Sequence, residues 1–243
     1  MNATVSCMPA AFEEVRTLAE VQAALRKGHF HNVYQPIVAL HDSNVLGFEA
    51  LVRWMDPDRG SVSPAGFIPV VEKTDVILEL GLWVFEQACA DLRSSKSMFE
   101  NDLYFSVNLG TRQLLDVNHC NQLIEIATRY LDSPRRLHLE ITELAFSSLE
   151  MLREAGFRVM VDDFDTGYSS LSYLANYPID IIKLDRAFVG SLMHSKKSHA
   201  LLRGVLALAH SLDIPVVAEG IEAGDVAKAL AALGCHAGQG YLS

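Results

Sequence analysis

The sequence contains no apolar run of 18 residues and no basic segment leading into an apolar one near its start, so it predicts neither a membrane span nor a signal peptide. A cytoplasmic protein is expected. Cysteine is sparse: Cys7, Cys89, Cys120 and Cys235 lie far apart and form no C-x-x-C, which argues against a zinc ribbon or a disulfide framework and for reduced thiols. Positive charge is in short supply as well. With 20 Lys and Arg against 30 Asp and Glu the formal net charge is −10, which speaks against DNA or RNA as a partner, because affinity for such polyanions rests on basic surface. Familiar catalytic signatures are missing too. No G-x-G-x-x-G follows a strand, no G-x-S-x-G occurs, and the nine histidines form no H-x-x-x-H or H-E-x-x-H and read as ordinary.

What is present is apolar and rhythmic. The 243 residues are 50% hydrophobic, enough for one large α/β domain. Residues 1–11 carry no periodic pattern and read as a tail or linker. An amphipathic helix is predicted at 12–28, ending at Gly28. Strands follow at Val33–Leu40 and Val45–Trp54, joined by a turn so short that they must be antiparallel. Ser63-Pro64 reads as a helix start, and a longer helix follows at about 77–93. Strands at 103–109, 137–142, 157–163, 179–184, 214–219 and 236–241 then alternate with helices at 111–131, 169–176, 196–212 and 222–233 and one between Thr142 and Phe157. Alternation of this kind specifies parallel βαβ units. About eight strands, mostly apolar throughout, suit a closed TIM-like (β/α)8 barrel with one antiparallel strand near the N-terminus; an open doubly wound sheet is the alternative.

The polar residues fall in a pattern. Val159, Met160 and Val161 run directly into Asp162 and Asp163, and Glu49, Asn108, Glu140, Lys183, Glu219 and Gln239 each sit at or near the end of a different strand. In a barrel those ends meet at one mouth. An isolated Asp pair or strand-end Glu usually caps a helix or turns a loop. Charge at the end of several apolar strands is another matter, because it is costly unless paired or metal-bound. Carboxylates and an amide oxygen are hard donors that suit Mg²⁺ or Mn²⁺, and their number suits two ions.

The pieces Y-Q-P-I at 34–37, F-E-A-L-V-R-W at 48–54, V-N-L at 107–109, E-I-T-E at 140–143, D-D-F-D-T-G-Y-S-S at 162–170, I-K-L-D-R at 182–186, V-V-A-E-G at 216–220 and Q-G-Y-L at 239–242 together resemble the EAL domain family, in family order. That family hydrolyses cyclic di-GMP to linear pGpG on a TIM-like barrel with one strand reversed. The resemblance implies that Glu49, Asn108, Glu140 and Asp162 hold a first divalent ion, that Asp163 completes a two-ion site, and that Glu219 is a further metal carboxylate. It implies that Lys183 orients or deprotonates the attacking water, that Gln239 helps hold that water, and that Gln35 and Arg53 contact the dinucleotide. Glu143 resembles the glutamate that anchors the loop from Phe164 to Ser170 and links metal occupancy to homodimerisation.

The chain departs from the family at Asp165, where glycine is usual, and at Gly110, where serine is usual. It is also shorter between Glu143 and Asp162 by about two helical turns, and ends soon after Q-G-Y-L, before the usual last helix. The expected plan is a stub at 1–11 and an EAL domain at 12–243 lacking that helix. The expected activity is metal-dependent hydrolysis of cyclic di-GMP. Two alternatives stand beside it: a catalytically silent cyclic di-GMP receptor that signals through a partner, and a barrel hydrolase for another phosphodiester.

Overall fold

The computed structural model describes residues 10–95, 99, 103–142, 146–162, 164, 177, 179–190 and 196–240. Helix α1 (Ala10–Lys27) buries Val21 and Ala24, carries Arg26 and Lys27 in its last turn where the helix dipole favours cations, and stops at Gly28 with φ +68°. Strands β1 (Phe30–Ala39) and β2 (Val45–Asp56) form a hairpin, and a short β3 (Gly60–Val62) adds an edge to β2. Then come α2 (Ile68–Val71), α3 (Val76–Ser95), β4 (Tyr104–Asn108), α4 (Thr111–Leu115), α5 (Val117–Tyr130) and β5 (Leu137–Ile141). The described part of the chain continues with α6 (Phe146–Glu154), β6 (Arg158–Val161), β7 (Ile181–Leu184), α7 (Arg186–Gly190), α8 (Lys196–Ser211), β8 (Val216–Ala218), α9 (Gly224–Ala232) and β9 (Ala237–Gly238).

Eight strands close into a barrel in the order β1, β2, β4, β5, β6, β7, β8, β9 and back to β1. Strand β1 runs antiparallel to both its neighbours, and all other barrel pairs are parallel. The expected TIM-like barrel with one reversed strand is therefore observed. Among the described residues no helix is long and apolar enough to cross a membrane.

Side chains alternate across a strand, so every second residue faces the barrel axis. A small interior core of Ile37, Met160, Ile181, Val217 and Ala237 fills the lower barrel. Two residues on from four of these, in strand order, come Asp162, Lys183, Glu219 and Gln239; on reversed β1 the polar residue, Gln35, precedes Ile37. The inward faces thus form an apolar layer beneath a polar one. The opposite faces of the strands, with Phe105, Leu139, Val159 and Leu184 among them, pack on the helices in the larger core.

The details differ from expectation where elements are short. The helix expected at 111–131 breaks at Asp116, whose ψ of 101° ends α4 and whose side chain accepts from His119 N at 2.9 Å to start α5. Ser63 precedes a single 3₁₀ turn and makes no side-chain cap bond. The helix expected at 169–176 lies outside the described residues. His138, read as ordinary, lies inside the barrel with its ring stacked on Tyr104 at a centroid distance of 4.0 Å, and burial pushes its pKa down to about 3.

Gly47 makes room for that stack. A Cβ there would lie 2.5 Å from the Tyr104 carbonyl oxygen and 2.8 Å from its ring, on the inward face where β2 pairs with β4. Because the nearest obstacle is backbone, Gly47→Ala is expected to lower unfolding free energy by about 1–3 kcal/mol, an overpacking cost. Urea denaturation of the two proteins checks this; an unchanged midpoint would show that β2 and β4 separate freely.

Candidate active site

The upper layer of the barrel is built by ladder pairing. Gln35 lies opposite Glu49, Glu49 beside Ser106, Asn108 beside Glu140, and Lys183 beside Val217. Each polar side chain therefore enters from a strand whose register is set by its neighbours. Ile181, Ile182 and Leu184 hold β7 in the wall, and Lys183 between them points inward with 1% of its surface exposed.

Lys183 is the hub. Its Nζ donates to Glu140 Oε2 at 2.5 Å and to Glu49 Oε2 at 3.3 Å, lies 3.7 Å from Asp162 Oδ1, and is in close contact with Glu219 Oε1. Glu49 is held from two further sides: Asn108 Nδ2 donates to Oε1 at 2.8 Å and Gln239 Nε2 to Oε2 at 2.6 Å. Burial alone would push the Lys183 pKa down, but the surrounding carboxylates of Glu140, Glu49, Asp162 and Glu219 hold it well above the ordinary lysine value. Four carboxyl groups face one ammonium, more acid than this lysine alone can neutralise. Burial raises the pKa of Glu140, with Lys183 opposing and Glu49 and Asp162 reinforcing, and burial likewise raises that of Glu219. The cage therefore has a standing demand for positive charge.

Two oxygens sharpen that demand. Glu140 Oε1 and Gln239 Oε1 are buried with no hydrogen-bond partner among the described residues. Buried acceptors of this kind are uncommon, and an ion or an ordered water would satisfy them. With Asn108, Asp162 and Glu219 they make a set of hard oxygen donors whose chemistry fits Mg²⁺ or Mn²⁺. Among the described residues no three His, Cys, Asp or Glu side chains are spaced to hold an ion as they stand; the carboxylates are gathered around the ammonium instead. Asp163, Asp165 and Glu143, together with most of the loop from Phe164 to Ser170, lie outside the described residues.

The expected substrate residues flank the cage. Gln35 shares a ladder rung with Glu49, and directly opposed side chains lie on one face. Arg53 is further along the inward face of β2, half-buried, with Nη1 donating to Val52 O at 2.9 Å and no ion pair among the described residues. Arg53 and Asn108 line a cavity of about 260 Å³ whose other walls include Leu51, Ile68, Leu80 and Val84. An unpaired guanidinium beside an apolar slot suits an anionic ligand with a flat hydrophobic part.

One polar group in this region escaped the reading of the sequence. Gln113, 3% exposed, lines the same cavity and accepts from Gly110 N at 3.0 Å. The spacing of Gly110 and Gln113, N-cap to third helical residue, is the capping-box spacing and was the available signal.

The EAL domain profile matches residues 18–243. The cyclic di-GMP phosphodiesterase NbdA of Pseudomonas aeruginosa is 37% identical over 246 residues, covering 96% of this chain and 31% of that protein. The structure of the MucR phosphodiesterase of the same organism in complex with c-di-GMP superposes with a TM-score of 0.87 at 33% identity, over 93% of this chain and 95% of that one. The EAL enzyme Bd1971 in its cAMP- and cyclic-di-GMP-bound form reaches a TM-score of 0.90 at 34% identity, over 97% of this chain and 66% of that one. The chain spans about a third of the length of the curated relatives it matches. By the extent of these matches, the chain belongs to the EAL domain family.

Proposed function

We propose that this chain is a divalent-cation-dependent phosphodiesterase that hydrolyses cyclic di-GMP to linear pGpG. The observation that carries the reading is the cage of Glu49, Glu140, Asp162 and Glu219 around buried Lys183 at the barrel mouth, its first two carboxylates buried and its last two partly exposed, with Arg53 further along β2 and without an ion pair among the described residues. Relatives described as cyclic di-GMP phosphodiesterases support the substrate. Residues 12–243 would form the catalytic unit, with 1–11 as linker.

Glu49, Asn108, Glu140, Asp162, Asp163 and Glu219 would hold two ions, Mg²⁺ or Mn²⁺. Bound there, such ions supply Lewis acidity toward the phosphodiester oxygens and make hydroxide available near neutral pH. Arg53 binds a non-bridging phosphate oxygen through its planar guanidinium, and Gln35 contacts the dinucleotide from the neighbouring strand. Lys183, kept as an ammonium by the carboxylates around it, orients the attacking water and does not act as its base, and the Oε1 of Gln239 accepts a hydrogen bond from that water. Water oxygen bonds to phosphorus, the bond from phosphorus to the 3′ oxygen breaks, and that oxygen leaves with a proton. The competing reading, a silent receptor, draws on one observation: the carboxylates are already gathered on an ammonium and are not spaced for an ion. Chromatography for pGpG after incubation with cyclic di-GMP and Mn²⁺ separates the two; linear product supports the enzyme, while binding without product supports the receptor.

Three outcomes follow from the cage. Chelation is expected to abolish turnover yet leave nucleotide affinity measurable by calorimetry, since Gln35 and Arg53 hold the ligand; full activity in excess chelator would remove the metal from the proposal. Glu49→Ala is expected to cost more than the roughly 10–100-fold typical of groups outside a metal's ligand shell, and a near-normal rate would make Glu49 structural. Lys183→Met leaves the carboxylates without their counter-charge, an imbalance that costs about 3–5 kcal/mol when a buried pair is broken. The Tm of this variant without metal should fall, and Mg²⁺ should raise it more than it raises that of the parent protein. Equal shifts in the two proteins would mean that Mg²⁺ binds elsewhere.

The homodimer belongs to this proposal too. Glu143 and the loop that would carry it are outside the described residues, so light scattering of Glu143→Ala against the parent is the direct check; a parent protein monomeric at all concentrations would remove the idea.

A further inference from the structure

Helix α4 has five residues, too few to hold its own shape, and its N-cap, Gly110, has no side chain to close the first turn. Gln113 supplies what is missing from inside the helix. Its Oε1 accepts the Gly110 N–H at 3.0 Å, and its Nε2 lies 3.3 Å from His119 Nε2. His119 is fixed in turn, 1% exposed, with its N–H bonded to the Asp116 carboxylate that starts α5. The amide also fills the space beside a residue on α3: a Cβ at Gly81 would lie 1.9 Å from Gln113 Nε2 and 3.6 Å from His119 Cε1, so any larger residue there displaces the amide.

Three helices and the end of β4 therefore meet on one buried amide. The turn it holds is the one that follows Asn108: Leu109 N donates to Glu140 O at 2.8 Å, Gly110 N to Gln113, and Asn108 Nδ2 reaches Glu49 Oε1 at 2.8 Å. Gln113, Gly81, Gly110, Asn108 and Arg53 all line the same cavity. An apolar side chain could fill this volume without the cost of burying an amide. The amide stands where a two-sided polar lock would orient a group at the mouth, as partners behind the ligands of a metal site do.

We infer that Gln113 is a positioning residue of the site: it locks the turn carrying Asn108, with His119 and Gly81 as its supports. Resting on the metal reading above, the inference assigns Gln113 no contact with substrate. It acts through Asn108.

The test compares the whole chain with Gln113→Met, Gln113→Glu, Gly81→Ala and Leu206→Ala, by Mn²⁺ titration in electron paramagnetic resonance and by kcat and KM for cyclic di-GMP. Leu206, buried on α8, is the control for lost stability alone. Gln113→Met should weaken Mn²⁺ binding about tenfold or more and lower kcat with less change in KM. Gly81→Ala, which displaces the amide without removing it, should shift both in the same direction, and it serves if Gln113→Met does not fold. Gln113→Glu keeps the acceptor for Gly110 N and can pair with His119 Nε2–H, because His119 Nδ1 has no partner and the ring is free to carry its proton on either nitrogen; it should restore most of both. Leu206→Ala should lower Tm and leave Mn²⁺ affinity unchanged. Parental Mn²⁺ affinity in Gln113→Met and Gly81→Ala, or an equal loss in Leu206→Ala, would overturn the positioning role while the metal reading stands. A parent protein that binds no Mn²⁺ would instead remove the metal reading, and this inference with it.

Discussion

The contact on which the rest depends is the one between the Lys183 ammonium and the carboxylates around it. A lysine this deep is tolerated only because opposite charge meets it from several directions, and those directions are supplied by four different strands. No local segment could assemble this arrangement. It requires the barrel to close with each strand in its own register, since a one-residue slip would turn Glu140 or Glu219 out toward the helices and leave the ammonium bare. The same contact gathers the charged groups at one height, above an inward layer that is apolar on most strands and carries His138 on β5.

That concentration divides the interior into two regimes. Below, Ile37, Met160, Ile181, Val217 and Ala237 pack with Tyr104 and His138, and nothing there calls for a charged ligand. Above, negative charge exceeds positive and two acceptors lack donors. A barrel made only for stability would have continued the lower layer to the rim. The imbalance above is eased by solvent, since Asp162 and Glu219 are partly exposed.

Much of this was legible because strand ends announce themselves. Val159-Met160-Val161 giving way to Asp162 shows both the strand and its terminus, and the same break occurs at Glu219, whereas Lys183 lies one residue inside the end of β7 and Glu49, expected near a strand end, lies within β2. The hairpin was legible because the turn at 41–44 is too short to leave the strands on either side of it a parallel option. Less was visible where the cause is tertiary. The three residues of β3 and five of α7 are too short for periodicity to register, and Asp116 divides what reads as one helix because its side chain can cap a second. His138 looked ordinary since nothing local marks its face; only its spacing of two from Glu140 places it inside the barrel. Gln113 was passed over because its partners, Gly81 and His119, come from helices whose approach the chain order does not reveal.

The reversal of β1 has a consequence for what this mouth can accept. Gln35 sits mid-strand, opposite Glu49 on a rung of an antiparallel ladder, whereas groups carried on loops ride on flexible backbone. Rungs do not stretch. The separation of Gln35 and Glu49 across the hairpin is thus set by the peptide hydrogen bonds between β1 and β2. What the hairpin leaves adjustable is the torsion of its side chains alone, so this side of the mouth acts as a fixed jaw.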